Sequence, residues 1–369
     1  MTGYIHQLPD WPNLGWDGPR IIDPLAQLRL RQGRLLGKMD ALGLSERAEA
    51  ELQARTQDVV KSSEIEGEIL NPDQVRSSIA RRLGMDAAAI DPVDRRVEGV
   101  VDMALEATKN YGEPLTKDRL CRWHQGLFPD SPWIKVGAWR DDARGPMQVV
   151  SGRHHVHYEA PPAARLEGEM SAFFEGVNGS RDVDPILKAG IAHLWFVTIH
   201  PFDDGNGRIA RVIADWALAR SENSSRRYYS MSAQIRQERQ DYYEILERTQ
   251  KGTLEITDWL LWFLGCLDRA IAGTESSLAV VLKRDQFWRE HGHLVRNKRQ
   301  RKVLNLLLGG EFIGRLTSSK WAKLAKCSQD SATRDIQELV EGGVLVKEGA
   351  GGRSTHYSLS PRAWPHGSR

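Results

Sequence analysis

Small and apolar residues recur at helical spacing along most of this chain, most clearly in Ile186, Leu187, Ala189, Gly190, His193, Leu194, Phe196 and Val197. Asp184 and Pro185 stand where a helix cap and a first-turn proline belong, so the pattern predicts a buried helix that opens there and ends near His200. Pro201 disfavours helical backbone at the residue before it, and Gly205-Asn206-Gly207 supplies a turn free of bulky side chains. Helical spacing resumes in Ile209, Val212, Ile213, Trp216 and Leu218, which makes the stretch a helix-loop-helix corner. Upstream, Ser45 opens a long polar-apolar pattern through Leu52, Thr56, Val59 and Val60, with Gly67 as its stop.

Alternating stretches are fewer. Met147 to Val150 and His155 to Tyr158 predict a hairpin with Gly152 in its turn, and they place His155 and His157 on one strand face. Toward the C-terminus, helical patterns in Val303 to Leu308, in Trp321, Leu324 and Ala325, and in Ala332, Ile336, Leu339 and Val340 precede two strands, Val344 to Lys347 and Thr355 to Leu359. The glycine-rich run from Gly349 to Arg353 separates these strands.

Composition sets limits on these elements. A chain of 369 residues with 40% hydrophobic content suits two or three domains with real cores. The three cysteines are odd in number and widely spaced, which fits a reducing cytosol and argues against a zinc site. The opening residues carry no cationic start or apolar core of a leader, and the run Trp259 to Leu267 is too short to span a bilayer, so a cytoplasmic protein with no membrane partner is expected. Charge is uneven: residues 283–369 hold 17 Lys and Arg against 8 Asp and Glu, a net of +9 in a chain of net +2.

The chemistry concentrates in His200-Pro201-Phe202-Asp203-Asp204-Gly205-Asn206-Gly207-Arg208-Ile209-Ala210-Arg211. Unpaired N–H groups at the start of the second helix favour an anion, and the glycines let phosphate oxygens approach the main chain. Arg208 and Arg211, three residues apart, share a helix face and suit forked contacts to two phosphates. Asp204 alone cannot build a metal cage, but one carboxylate plus substrate phosphates is a common way to hold Mg²⁺. His200, with an ordinary pKa of about 6.5, is the candidate general base, and Phe202 reads as the anchor of the loop.

This stretch resembles the signature of the Fic family, His-x-Phe-x-Asp/Glu-Gly-Asn-Gly-Arg-x-x-Arg, at every fixed position. The resemblance implies transfer of AMP from ATP to a Ser, Thr or Tyr hydroxyl of a target protein, with release of pyrophosphate. By position, His200 would deprotonate the acceptor, Asp204 would ligate Mg²⁺, Gly205, Asn206 and Gly207 would bind phosphates, and Arg208 and Arg211 would hold the distal ones. The strands carrying Val149, Val150, His155, Val156 and His157 resemble the family's flap, which holds the target by strand addition. Tyr242 and Tyr243 suit stacking near adenine, although helix packing explains them equally well.

Ser62-Ser63-Glu64-Ile65-Glu66-Gly67 resembles the inhibitory motif Ser/Thr-x-x-x-Glu-Gly/Asn of Fic proteins that carry their own inhibitory helix. There the glutamate, Glu66 here, pairs with the second motif arginine, Arg211, and Ser62 and Gly67 complete the pattern. In some such relatives the freed glutamate also supports removal of AMP from the target. The expected architecture is mainly α: an N-terminal helical region over 1–115, a Fic core with a β-hairpin flap over 116–282, and a C-terminal winged helix over 283–369. The winged helix would place Arg334, Gln337 and Arg353 toward DNA or serve as a protein-docking module. A DNA-binding regulator with a secondary Fic corner is the alternative reading, and a homodimer stays open.

Overall fold

The computed structural model describes residues 3–85, 93–151, 155–179, 183–308, 312, 314–349 and 355–363. Its helices are α1 (Gly18–Asp40), α2 (Leu44–Ile65), α3 (Pro72–Arg82), α4 (Arg95–Lys109), α5 (Lys117–Leu127), α6 (Leu166–Asn178), α7 (Pro185–Ile199), α8 (Asn206–Glu222), α9 (Met231–Gln237), α10 (Arg239–Gln250), α11 (Thr257–His291), α12 (Lys298–Leu308), α13 (Ser318–Ala325) and α14 (Gln329–Glu341). Two antiparallel ribbons complete the fold: β1 (Gln148–Ser151) with β2 (His155–Glu159), and β3 (Leu345–Glu348) with β4 (His356–Leu359). The chain is thus mainly α. It forms two compact units, residues 1–274 and 275–369.

In the first unit α7 is the central element. Asp184 caps it by accepting the Ile186 N–H at 2.8 Å, and Pro185 fits the first turn, where no donor is needed. Leu187, Leu194, Phe196 and Val197 are all buried, so this helix is wrapped on every side, as a helix apolar all round must be. It packs against α8, and the Trp259 indole of α11 donates to Gly190 O at 2.9 Å. The N-terminal segment belongs to the same body: Gly15 N–H donates to Leu254 O at 2.9 Å and Ile256 N–H to Gly15 O at 2.8 Å.

Helix α2 begins one residue earlier than Ser45, at Leu44, with Gly43 as its cap and no side-chain cap bond. Its end is firmer. Gly67 takes a φ of 84°, its N–H donates to Glu64 O at 3.1 Å, and the Glu68 N–H donates to Ser63 O at 3.0 Å. This pair of bonds closes a helix through a left-handed residue, a conformation glycine adopts without penalty.

The second unit buries Phe287, Val303, Leu304, Leu308, Trp321, Ile336 and Leu339 in one core. Phe287, near the end of α11, belongs to this core, and the boundary between the units falls inside that helix. Lys326, in left-handed conformation, and Ser328, which accepts the Ser331 N–H, make the turn between α13 and α14. Tyr357 N–H donates to Leu316 O at 2.9 Å, adding a bridge beside the β3–β4 ribbon.

Candidate active site

The turn between α7 and α8 holds the chemistry. His200 closes α7 in left-handed conformation at φ 52°, its N–H donating to Phe196 O at 2.9 Å. The following proline bars continued helix, so the ring is carried off the helix end at a fixed angle. Asn206 then ties the loop shut: its Oδ1 accepts the Phe202 N–H at 3.0 Å and its Nδ2 donates to Phe202 O at 2.8 Å. Its side chain is therefore a staple, and it can offer an anion only its main-chain N–H. Phe202 is fully buried and stacks on His124 at 4.2 Å between ring centroids.

The His200 Nδ1 lies 3.2 Å from Val197 O, which assigns its proton to that nitrogen and leaves the Nε2 lone pair available. Burial pushes the imidazole pKa down to about 4, the Val197 bond opposing and the Arg140 guanidinium adding to the shift. A neutral ring with one open lone pair is the form a general base needs at pH 7.

Two supports of this loop carry no signal in the motif itself. Arg140 is buried, donating from Nε to His200 O at 2.8 Å, from Nη2 to Pro161 O at 2.6 Å, and from Nη1 to Asp142 Oδ1 at 3.0 Å. His124 accepts the Gly137 N–H at Nδ1 at 2.9 Å, which turns its Nε2–H toward Asp204 O at 3.2 Å. Burial lowers the His124 pKa to about 4, so it serves as a neutral bracket.

At the start of α8, Gly205 takes φ 79° and Gly207 faces the residue that caps the end of α2. A Cβ built on Gly207 would lie 2.1 Å from Glu66 Oε1, so the carboxylate rests directly over the first turn of α8, where an anion is favoured. Arg211 is 3% exposed and holds three groups of α2 and its cap: Glu66 Oε1 at 2.8 Å from Nη2, Ser62 O at 2.8 Å, and Ser62 Oγ at 2.9 Å from Nε. Arg208 is 4% exposed, pairs with Glu68, and lies 5.0 Å from the Phe128 ring centroid. Arg208 Nε and Arg211 Nη1 find no hydrogen-bond partner among the described residues. Buried donors left over beside a helix N-terminus suit a further anion.

Among the described residues no group of three His, Cys, Asp or Glu could hold a metal ion. Asp204 is exposed, one oxygen accepting the Gly205 N–H at 2.5 Å, while Asp203 accepts the Lys135 N–H at 2.9 Å. A lone carboxylate fits a Mg²⁺ ion that enters with phosphate oxygens and does not fit a resident metal centre.

The hairpin pairs Val149 with Tyr158, Val150 with Val156 and Ser151 with His155, with a shift between Val149 and Val150. Val150 is exposed, Val149 and Val156 half-buried. His157 Nδ1 lies 2.5 Å from Glu247 of α10, and the Tyr158 hydroxyl donates to Thr198 O at 2.7 Å, so this strand is pinned to the helical body. The Gly152 turn and Arg353 lie outside the described residues. Tyr242 is buried, its hydroxyl 2.8 Å from His193 Nε2 and its ring 5.5 Å from Trp262, which makes it a packing residue. Tyr243 is 36% exposed under the Arg239 guanidinium. On α14, Arg334 and Gln337 are exposed.

Comparison with known proteins converges on this corner. Residues 114–218 match the Fic/DOC family, and residues 4–85 match a domain of unknown function, DUF4172. The chain is 26% identical over 261 residues to the protein adenylyltransferase Fic of Culex quinquefasciatus, covering 68% of this chain and 48% of that protein. It is 27% identical over 227 residues to that of Nematostella vectensis, covering 59% and 48%. The chain thus spans about half the length of the curated relatives it matches. A Fic family protein of Desulfovibrio desulfuricans shares the fold at a TM-score of 0.55 and 19% identity, covering 97% of this chain and all of that one. A Fic domain containing signaling protein of Bacteroides thetaiotaomicron does so at 0.52 and 20%, covering 68% and 95%. No helix among the described residues is long and apolar enough to cross a membrane.

Proposed function

We propose that this Fic-family chain transfers AMP from Mg·ATP to a Ser, Thr or Tyr hydroxyl of a target protein and is held back by its own Glu66. The observation that carries the reading is the convergence of a neutral His200 with a helix N-terminus and two buried arginines that retain unpartnered donors. In this reading the α8 N-terminus, Arg208 and Arg211 bind the β- and γ-phosphates and present the α-phosphorus to the acceptor. His200 Nε2 takes the hydroxyl proton as the oxygen attacks. The bond from the α-phosphorus to the bridging oxygen breaks and pyrophosphate leaves. Asp204 is the carboxylate that would hold Mg²⁺, whose charge would offset that of the departing phosphates.

Glu66 supports the inhibitory half of the reading, because its carboxylate occupies the anion position over Gly207 and already holds Arg211. A nucleotide seated productively must displace it. ATP labelled at the α-phosphate and, separately, at the γ-phosphate tests the transfer: covalent label on protein from the first and none from the second is the expected result. Label from the γ-position alone would mean a phosphotransfer instead.

The C-terminal unit favours a second activity. Exposed Arg334 and Gln337 lie on α14, which follows a tight turn from α13, the layout of a winged helix that reads DNA with its second turn-flanking helix. Duplex binding that falls steeply with salt and weakens in Arg334→Ala is expected; no duplex binding at low salt would favour protein docking.

A further inference from the structure

The cap that ends α2 presents two carboxylates. Gly67 sits between Glu66 and Glu68, and the bonds from Gly67 N–H to Glu64 O and from Glu68 N–H to Ser63 O fix the backbone on both sides of it. Each carboxylate meets a different motif arginine: Glu66 pairs with Arg211 and Glu68 with Arg208. Glu68 lies outside the Ser-x-x-x-Glu-Gly pattern, so nothing in that motif assigns it a role.

Arg208 needs a counter-ion. Its side chain is 5% exposed, one face covers the Phe128 ring, and a guanidinium removed from water is strongly unfavourable without a charge partner. Glu68, 27% exposed, supplies that charge. Removing Glu66 alone would free Arg211 and leave Arg208 neutralised. A polyphosphate that needs both arginines therefore meets two acidic competitors, tethered through one rigid glycine turn so that they dock and leave together.

We propose that Glu68 is a second inhibitory residue, which occupies Arg208 as Glu66 occupies Arg211, so that one helix cap closes both phosphate positions. The inference rests on the nucleotide reading above. It sets the release step as undocking of the whole 66–68 turn, and it makes Glu68 a determinant of nucleotide affinity in this chain.

The test is calorimetric titration of the full chain with Mg²⁺ and α,β-methylene-ATP, which resists cleavage at the bond that AMP transfer breaks. Four proteins are compared: wild type, Glu66→Gln, Glu68→Gln and the double variant. Glutamine keeps the side-chain shape and an acceptor oxygen for Arg208 while removing the charge, and the denaturant midpoint of each protein separates a change in affinity from a loss of folding. Glu68→Gln is expected to tighten binding roughly fivefold, and to add a similar factor on top of Glu66→Gln. Equal affinity of Glu68→Gln and wild type, together with equal affinity of the double variant and Glu66→Gln, overturns the proposal while leaving the nucleotide reading intact. Absence of binding in all four overturns the nucleotide reading, and this inference with it.

Discussion

Arg140 donates its Nε–H to the main-chain oxygen of His200 across 2.8 Å, so the residue that carries the candidate base is held from a segment sixty positions earlier in the chain. The same guanidinium bonds Pro161 O and Asp142, and Arg140 N–H donates to Pro201 O at 2.9 Å. The left-handed turn at His200 is thereby clamped from both sides of its carbonyl.

Arg140→Met keeps much of the buried volume but leaves two carbonyl oxygens without their donor. A loss of about 3 kcal/mol of stability is expected, read as a lower denaturant midpoint. Label transfer should fall further than the unfolded fraction accounts for, because the ring of His200 loses its fixed angle. Unchanged transfer per folded molecule would show that Arg140 is a packing residue only.

The pH profile follows from the His200 ring. Its neutral form is the candidate base, and that form persists down to a folded pKa of about 4, so transfer should stay level from pH 8 to near pH 5 and fall below that. An acid limb centred near the ordinary value of about 6.5 would mean that the ring is solvated in the working enzyme. The measurement is initial rate against pH with the Glu66→Gly variant, which separates the base from the inhibitory contact.

Gly207→Ala would place a methyl group 2.1 Å from the Glu66 carboxylate oxygen. The methyl enters the anion position itself, so it should expel Glu66 and obstruct phosphate alike. Nucleotide affinity is expected to fall roughly tenfold even when Glu66 is also removed. Recovery of full affinity in the double variant would place the phosphates elsewhere.

Much of this site was legible in twelve contiguous residues because the base, the turn and both arginines are local to one helix-loop-helix corner. Pro201 and Gly205 dictate backbone geometry wherever they stand, and the apolar series before His200 could only be a buried helix. The supports were not legible for the opposite reason. His124 reaches Asp204 O, Arg140 reaches His200 O and Glu68 reaches Arg208 through contacts between residues far apart in sequence, and a buried ion pair leaves no periodic trace. Tyr242 shows the converse ambiguity: an aromatic at helical spacing serves a core or a purine equally well, and its bond to buried His193 sets it in the core. The start of α2 shifted from Ser45 to Leu44 because Gly43, with extended backbone, takes the cap position ahead of the serine.

The pair of Glu66 and Arg211 joins the cap of α2 to the candidate nucleotide site. Loss of a contact worth about 3 kcal/mol would raise the competent fraction by about a hundredfold. Incubation of wild type, Glu66→Gly, and Glu66→Gly combined with His200→Ala with Mg²⁺ and α-labelled ATP measures it directly, as covalent label on protein. Strong label in Glu66→Gly, far weaker label in wild type and none once His200 is removed is the expected result; equal label in wild type and Glu66→Gly, or label that survives the loss of His200, would contradict inhibition by Glu66 and base catalysis by His200.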